Sequence, residues 1–112
     1  MRRPILRYPD PALRRVARPV ETFDDALRAL AEEMIATMYA APGRGLAATQ
    51  VGVMQRLFVM DANWKDTGRR VPRVMVNPEI LSGSDAVQTL EEGCLSIPGV
   101  KVPVTRPAEV TL

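Results

Sequence analysis

The segment between Pro19 and Pro42 holds the strongest periodic pattern of the chain, and it restricts this stretch to one α-helix. Its apolar residues recur at helical spacing, whereas charged residues such as Arg28 and Glu32 take the opposite face, as in an amphipathic helix. Thr22, followed three residues later by Asp25, predicts the start through an approximate capping box. Pro42-Gly43 predicts the end. The apolar face comprises Leu27, Leu30, Ala31, Met34, Ile35 and Met38.

A change of pattern follows the glycine-rich stretch at 43–52. Short extended runs alternate with Pro, Gly, Asn and Asp, which is typical of strands joined by turns. We therefore predict an α+β fold with a largely antiparallel sheet, in a single domain over residues 1–112. The predicted strands are Leu57 to Met60, Arg73 to Val76, Val87 to Leu90, Val100 to Val104 and Glu109 to Leu112.

Three further local features complete the expected fold. Asp10-Pro11 predicts a short helix through about Arg15, since Asp caps helices and Pro suits their first position. Asn63 to Arg70 is the segment expected to form the most flexible loop. The run ending at Leu112 carries no turn or cap signal, so we expect the domain to be incomplete at its C-terminus.

Composition excludes several classes of protein. Hydrophobic residues make up 46% and charged residues 25% of the 112, which is usual for globular domains and unlike disordered or fibrous chains. No apolar run approaches the roughly 20 residues of a membrane span, and Arg7, Pro9 and Asp10 interrupt any signal-peptide core. A single cysteine cannot form an intrachain disulfide, in agreement with a reducing compartment. We expect a cytoplasmic protein without membrane association.

Basic residues concentrate at the N-terminus although the net charge is only +2. The first 18 residues contain arginines at positions 2, 3, 7, 14, 15 and 18. Such a cluster can contact ribosomal RNA or another polyanion. A solvated basic face is the favoured interpretation, because no aromatic residues interleave these arginines and no nucleic-acid motif is present.

Two stretches carry chemistry-bearing residues. The small residues of 43–48 let a strand or a peptide approach closely, and the Gln50 amide can donate to a carbonyl or an oxyanion. Cys94 can be a metal ligand, a reactive thiol or an inert buried residue. The chain has no histidine, the residue that usually activates a catalytic cysteine or completes a cysteine-containing metal site.

Taken together, these stretches resemble the first two of three signature motifs of peptide deformylases. They are Gly-Arg-Gly-Leu-Ala-Ala-Thr-Gln-Val-Gly at 43–52 and Glu-Glu-Gly-Cys-Leu-Ser-Ile-Pro-Gly at 91–99. The opening Tyr-Pro-Asp-Pro-Ala-Leu-Arg at 8–14, Met38-Tyr39, Val76-Asn77-Pro78 and Thr105-Arg106-Pro107 also fit in order and spacing. The resemblance covers essentially the whole sequence.

The resemblance implies an α+β metallohydrolase that removes the formyl group from the N-terminal methionine of nascent proteins, close to the ribosome. Fe²⁺ would be the usual metal, with Ni²⁺, Co²⁺ or, more weakly, Zn²⁺ as substitutes. Cys94 would be the thiolate ligand, Gln50 and the Leu95 backbone N–H the oxyanion hole, and Gly45 the hydrogen-bonding partner of the substrate backbone. A bound metal would lower the pKa of a water from about 15.7 toward 7 and so supply hydroxide.

The third family motif, a helix carrying His-Glu-x-x-His, has no counterpart in these 112 residues. Two metal ligands and the general base are therefore missing, and we expect the isolated chain to hold no metal stably and to be inactive. The family's C-terminal metal-binding helix would also be lacking. We expect apolar surface to be exposed as a result, with self-association through it.

A second departure concerns the methionine pocket, which the resemblance assigns to Gly43, Arg44 and Leu46. The family usually carries Ile or Val at the position of Arg44. Arginine can lay its methylene groups along the pocket with its guanidinium outward, spoil methionine binding, or favour an acidic residue. Glu92 and Arg106 are predicted to form a structural ion pair beside the cysteine segment, against the alternative of two solvated charges.

Three hypotheses of function remain open at this point. The first is a deformylase truncated before its metal-binding helix. The second is a non-catalytic deformylase-like module that binds N-terminal peptides or a protein partner. The third is metal hydrolysis rescued by a histidine-bearing helix from another chain, which carries an association cost of several kcal/mol or more.

Overall fold

A computed structural model describes residues 2–112 of the chain. Its longest helix, α1, spans Asp25–Ala40, 16 residues. The Asp24 carboxylate caps it by accepting a hydrogen bond from Leu27 N at 3.0 Å, so the predicted start at Thr22 was wrong by two residues. Asp24 takes that role because its short acidic side chain reaches the free N–H groups of the first turn. The helix ends before Pro42, as predicted.

A three-stranded antiparallel sheet packs against α1. Its strands are β1 Gly45–Ala47, β2 Leu57–Met60 and β3 Arg73–Val76, in the spatial order β1-β2-β3. The predicted bounds of β2 and β3 are confirmed, whereas β1 lies in the glycine-rich stretch that the sequence did not predict as a strand. Fully buried side chains from both layers form the core, and the largest of them are Met34, Met38, Leu46 and Val59.

Two short 3-10 helices flank this core. The first, Pro11–Arg14, confirms the helical turn predicted at Asp10-Pro11, because Asp10 Oδ1 accepts a hydrogen bond from Ala12 N at 2.9 Å. The second, Ala48–Val51, connects β1 to the following loop and ends at Gly52, whose φ of +82° favours glycine. This second turn carries Gln50 to the surface beside β1.

The second half of the chain forms two paired ribbons. β4 Ser82–Gly83 pairs with β7 Val110–Thr111, and β5 Val87–Cys94 pairs with β6 Ile97–Pro107, both antiparallel. β5 and β6 are longer than predicted, and β7 is shorter. The register shifts between Gly93 and Cys94, so that Cys94 lies opposite Ile97 at the tight end of the ribbon.

The segment from Asn63 to Arg70, predicted to be the most flexible loop, is partly helical. It contains a helical turn, α2 Trp64–Thr67, which ends at Gly68 with φ +71°. The Trp64 ring packs edge-to-face on Tyr39 with centroids 5.1 Å apart. Arg70 places its guanidinium 4.3 Å from the centroid of the Tyr39 ring, a cation–π arrangement. These contacts attach the segment to α1.

The architecture is α+β, as the sequence predicted. Within residues 2–112 every strand pair is antiparallel, apart from one isolated parallel bridge between Arg18 and Gln55. No helix among those residues combines the length and the apolar character that a bilayer crossing would demand.

Candidate active site

A surface cleft of about 1270 Å³ lies where the loop after α1, the N-terminal segment and the β5–β6 turn meet. The cleft brings together the two sequence stretches singled out above, 43–52 and 91–99, although 38 residues lie between them. Every predicted catalytic, metal-binding or pocket residue except Leu46 contributes to its walls. Those lining residues are Gly43, Arg44, Gly45, Gln50, Cys94 and Leu95.

Leu46 is not brought into the cleft. Its side chain is only 2% exposed and belongs to the core that joins α1 to the sheet. The alternation of side chains along β1 explains this placement, because neighbouring residues of a strand face opposite sides. Leu46 therefore supports the site from behind instead of lining the pocket.

The Gln50 side chain is held by hydrogen bonds at both ends. Its Oε1 accepts from Ala47 N at 3.0 Å, while its Nε2 donates to Ser96 Oγ at 3.1 Å and lies 3.6 Å from Cys94 Sγ. The backbone donor at Ala47 requires an oxygen, so the amide nitrogen must face the thiol. The structure thus points an N–H donor of Gln50 at Cys94.

Cys94 and Leu95 occupy the turn that closes the β5–β6 ribbon. The Cys94 thiol is exposed, whereas Ser96 is buried beneath it. The Leu95 side chain packs against Gly43 in the loop after α1. A Cβ atom at position 43 would lie only 2.7 Å from Leu95 Cδ1. This close approach explains why glycine stands at position 43, and it brings the turn against the loop after α1.

An N-terminal strap, residues Leu6 to Tyr8, joins the two walls. Leu6 N donates to the carbonyl oxygen of Gln50 at 2.7 Å, and Tyr8 N donates to that of Ser96 at 2.8 Å. Sequence reasoning missed this strap because its contacts are made by backbone groups, which leave no mark in the pattern of side chains. It sets the spacing between the Gln50 wall and the Cys94 wall.

β1 offers a sheet edge to the cleft. Gly45 pairs with Met60 of β2 on one side, and no strand among residues 2–112 pairs with the other side of β1. A free edge of this kind can accept an extended peptide as an additional strand. Gly45 lines the cleft and is exposed, so its backbone is accessible to such a peptide.

Arg44 lies on the rim of the cleft beside the helical turn α2. Its guanidinium is 3.5 Å from Asp66 Oδ1, and both side chains are largely exposed. Trp64 Nε1 donates to the carbonyl oxygen of Gly43 at 2.9 Å, and Asp61 N donates to that of Arg44 at 2.9 Å. The only signal of this support in the sequence was a single tryptophan within a polar stretch.

A buried carboxylate stabilises this wall of the cleft. Asp61 Oδ2 accepts hydrogen bonds from Tyr39 Oη at 2.6 Å and from Val71 N at 2.7 Å. The bond from Tyr39 lowers the pKa of Asp61, and the Val71 N–H acts in the same direction. Burial and the neighbouring carboxylate raise the pKa of Tyr39 to about 12. At neutral pH the pair is a phenol donating to a carboxylate.

Glu92 and Arg106 form the ion pair that the sequence suggested. Arg106 Nε lies 2.7 Å from Glu92 Oε2, and its Nη2 lies 2.8 Å from Oε1, which makes the pair bidentate. The hydrogen bond from Arg106 lowers the pKa of Glu92, and Glu92 raises the pKa of Arg106. Glu92 lines the cleft, whereas Arg106 lies on the adjacent strand.

The donor set around Cys94 does not make a metal centre by itself. Among residues 2–112, no group of three or more His, Cys, Asp or Glu side chains could hold a metal ion. The polar atom facing the sulfur is the Gln50 Nε2 amide, which donates hydrogen bonds and is not a metal ligand. A catalytic zinc site normally takes three protein ligands, of which this chain offers one.

The sequence is similar to those of peptide deformylases over nearly its full length. The family model for polypeptide deformylase matches residues 2–112. The peptide deformylase of Phenylobacterium zucineum is 54% identical over 110 residues, which cover 98% of this chain and 64% of that protein. The peptide deformylase of Azotobacter vinelandii is 49% identical over 108 residues, covering 96% of this chain and 62% of that protein. The chain thus spans less than two thirds of the length of these curated relatives.

Solved structures show the same backbone. A crystal structure of a peptide deformylase from Legionella pneumophila superposes with a TM-score of 0.89 at 46% identity, covering 98% of this chain and 63% of that one. The peptide deformylase of Thermotoga maritima gives a TM-score of 0.91 at 42% identity, covering 98% and 71%. Because the family model, the relatives and the backbone all agree over nearly its full length, the chain belongs to the polypeptide deformylase family.

Proposed function

We propose that this chain carries the formyl-peptide-binding part of a deformylase site. The observation that supports the proposal is the placement of the Gln50 amide nitrogen 3.6 Å from the Cys94 thiol, in a cleft bordered by the free edge of β1. A peptide whose N-terminus reaches Gln50 can lie along that edge. The formyl group at that N-terminus would face the Gln50 amide nitrogen and the Cys94 thiol from the cleft side.

Each residue then has a distinct task. Gln50 Nε2 and the Leu95 backbone N–H donate to the formyl oxygen, where negative charge would develop during attack on the carbonyl carbon. Gly45 pairs with the peptide backbone through β1, because a strand edge offers both a donor and an acceptor. Trp64 and the Asp61 backbone hydrogen-bond to Gly43 and Arg44, so they hold the segment that leads into Gly45.

Turnover requires more than these 112 residues contain. Peptide deformylases depend on a metal, and this chain supplies Cys94 as one donor but no histidine. We therefore assign no hydrolytic step to the chain alone, and we expect it to bind formyl peptides without cleaving them. A complete site would need imidazole donors and a base from outside this sequence, together with Fe²⁺, Ni²⁺, Co²⁺ or Zn²⁺.

The ligand that this proposal implies is the N-terminus of a nascent polypeptide, bound in the cytoplasm near the ribosome. Self-association is part of the same proposal, since apolar side chains of the β5–β6 ribbon such as Val87 and Leu90 are more than half exposed. Sedimentation of the chain at several concentrations tests this part.

The experiment that tests the proposal compares formylated and unformylated Met-Ala-Ser peptides for binding to the 112-residue chain. Trp64 is the only tryptophan and hydrogen-bonds to Gly43 at the cleft, so its fluorescence reports binding. We expect the formyl peptide to bind more tightly and Gln50→Met to abolish the difference. Gln88→Met, on an exposed residue of β5, is the matched control. Equal affinity for the two peptides would overturn the proposal.

A second candidate function is a non-catalytic module that binds N-terminal peptides, which the free edge of β1 along the cleft supports. The two are separated by adding Co²⁺ together with a synthetic helix containing His-Glu-x-x-His. Formation of a thiolate-to-cobalt absorption band that disappears in Cys94→Ser would support a deformylase site completed by another segment. Binding of formyl peptide without any such band would support the non-catalytic module.

A further inference from the structure

The cleft has a larger excess of positive charge than the chain as a whole. Among residues 2–112 that line it, only Glu91 and Glu92 are acidic, whereas the net charge of the entire chain is +2. A concave surface with one sign of charge concentrates ligands of the opposite sign. The cations that line the cleft are Arg2, Arg3, Arg7, Arg44, Lys65 and Lys101.

Ion pairing leaves this excess in place. Arg3 is paired with Glu33 of α1, but Glu92 is likewise neutralised by Arg106, so one charge of each sign is removed. Arg44 is paired only with Asp66, at 3.5 Å and with both side chains at least half exposed. Exposed pairs of this kind contribute little, so a ligand carboxylate can compete with Asp66 for the guanidinium.

The position of Arg44 relative to β1 shows which part of a peptide it would meet. Under the proposed function, the N-terminal group of a bound peptide would lie near Gln50. Gly45 and then Arg44 lie progressively further from Gln50 along the chain. A peptide that adds to the free edge of β1 therefore passes Gly45 and then Arg44. Extended chains advance about 3.3 Å per residue, so the second and third residues of the peptide come closest to Arg44.

We propose that Arg44 is a specificity-determining residue, which gives the cleft a preference for formylated peptides with an acidic side chain at the second or third position. This inference rests on the proposed function of the cleft. A carboxylate about 4 Å from the guanidinium gains roughly 1 kcal/mol in an aqueous environment, a preference of about five-fold in affinity. The preference weakens as salt rises, because the contact is open to solvent.

A peptide is favoured over a nucleic acid as the acidic ligand. Binding of single-stranded nucleic acid commonly combines cations with aromatic rings on which bases stack. None of the residues 2–112 that line the cleft is Phe, Tyr or Trp, whereas the free edge of β1 offers the backbone groups that a peptide uses. The cleft therefore combines positive charge with a free strand edge, which together suit an acidic peptide.

The test measures dissociation constants of formyl-Met-Ala-Xaa-Ala peptides, with Asp, Asn or Lys as Xaa, and of the matched series substituted at the second position. We expect the Asp peptide to bind about five-fold more tightly than the Asn peptide at low salt, and the Lys peptide to bind least. Arg44→Met should remove this order, whereas Arg44→Lys should retain part of it. Asp66→Asn should strengthen binding of the Asp peptide, because it removes the competing carboxylate.

Arg28→Met is the matched control, since Arg28 is an exposed residue of α1 outside the cleft and its loss changes the net charge equally. An Asp preference that survives in Arg44→Met, or disappears equally in Arg28→Met, would overturn the inference. Equal affinities across the series would overturn it while leaving the proposed function intact. Absence of binding to every formyl peptide would overturn both. A short RNA that displaces the Asp peptide at lower concentration than the peptide itself would assign the cleft to RNA instead.

Discussion

The two walls of the cleft are built on regions of very different packing. The Gln50 wall rests on α1 and the three-stranded sheet, where Met34, Met38 and Val59 are completely buried. The Cys94 wall rests on the β5–β6 ribbon, where Leu90 is 56% and Val102 is 50% exposed. Beyond Asp61, Ser96 is the only buried residue in the described part of the chain. One wall is therefore part of the core, and the other is held by backbone pairing and by Leu95, which is partly buried against the core.

This difference shows where the geometry of the site is vulnerable. Regions with few buried apolar contacts open at a lower free energy than core elements. Gln50 lies between Ala48 and Val51, two buried residues of the same 3-10 helix. Cys94 depends on the ribbon, on the hydrogen bond between Gln50 and Ser96, on the strap at Tyr8 and on the packing of the neighbouring Leu95 against the core. The distance from Gln50 to Cys94 is thus set by a few contacts.

The largest loss of stability is expected when a buried side chain of the core is shortened. Met38→Ala leaves a cavity beside α1 and should lower the free energy of unfolding by about 2–5 kcal/mol. Val102→Ala, on the exposed ribbon, should change it by less than about 0.5 kcal/mol. Urea denaturation followed by far-UV circular dichroism measures both. Similar losses in the two variants would show that the ribbon is as tightly packed as the core.

The sequence predicted the packed region better than the exposed one. The helical period of α1 and the bounds of β2 and β3 could be predicted, because burial on one face imposes periodicity on the residues. β1 was missed because its three residues lie in a glycine-rich stretch, and pairing with β2 makes it a strand. The extra length of β5 and β6 was missed because partner strands, not local preference, determine where a ribbon ends.

The second largest loss of stability is expected from the pair of half-buried Tyr39 and buried Asp61 behind the Gln50 wall. Tyr39→Phe removes the hydrogen bond to Asp61 and should lower the free energy of unfolding by about 1–3 kcal/mol. Thermal unfolding of the wild type and the variant at neutral pH measures the loss. A variant as stable as the wild type would show that the pair does not stabilise this wall.

The same pair predicts a dependence on pH at both extremes. The pKa of Asp61 is lowered by folding, so its contribution is present above the unfolded value of about 3.9 and is lost as pH falls through the folded value. The pKa of Tyr39 is raised to about 12, so its contribution is present below about 10 and is lost as pH rises toward 12. Tyr39→Phe should remove the alkaline loss. An identical alkaline profile in the variant would contradict this assignment.

A smaller loss of stability is expected at the hydrogen bond between Gln50 and Ser96, which joins the two walls. Ser96→Ala removes the acceptor of the Gln50 amide and should cost about 1 kcal/mol, while freeing the turn that carries Cys94. We expect the thiol to react faster with a disulfide reagent such as DTNB. Ser82→Ala, on exposed β4, is the control. Unchanged thiol reactivity would show that the ribbon positions Cys94 without help from Gln50.

The residues of the candidate site could be predicted where their side chains form a recognisable motif, but its backbone contacts could not. Gln50, Cys94, Leu95, Gly43, Arg44 and Gly45 meet in one cleft, and their motifs were visible in the sequence. The strap and the contacts of Trp64, Asp61 and Arg70 were not, because they rely on backbone groups and on residues brought together only by the fold. Leu46 was assigned to the pocket because proximity along the chain does not reveal which face of β1 a residue takes.

The smallest effect should come from the Glu92–Arg106 pair, and it tests whether the ribbon has stabilising contacts of its own. The pair is bidentate but solvent-accessible, and exposed ion pairs contribute little because water screens them. A double-mutant cycle with Glu92→Ala and Arg106→Ala should give a small favourable coupling that declines as salt is raised. If the coupling is absent at low salt, the pair has no structural role, and backbone pairing, the strap, Leu95 and the Gln50–Ser96 hydrogen bond must hold the Cys94 wall.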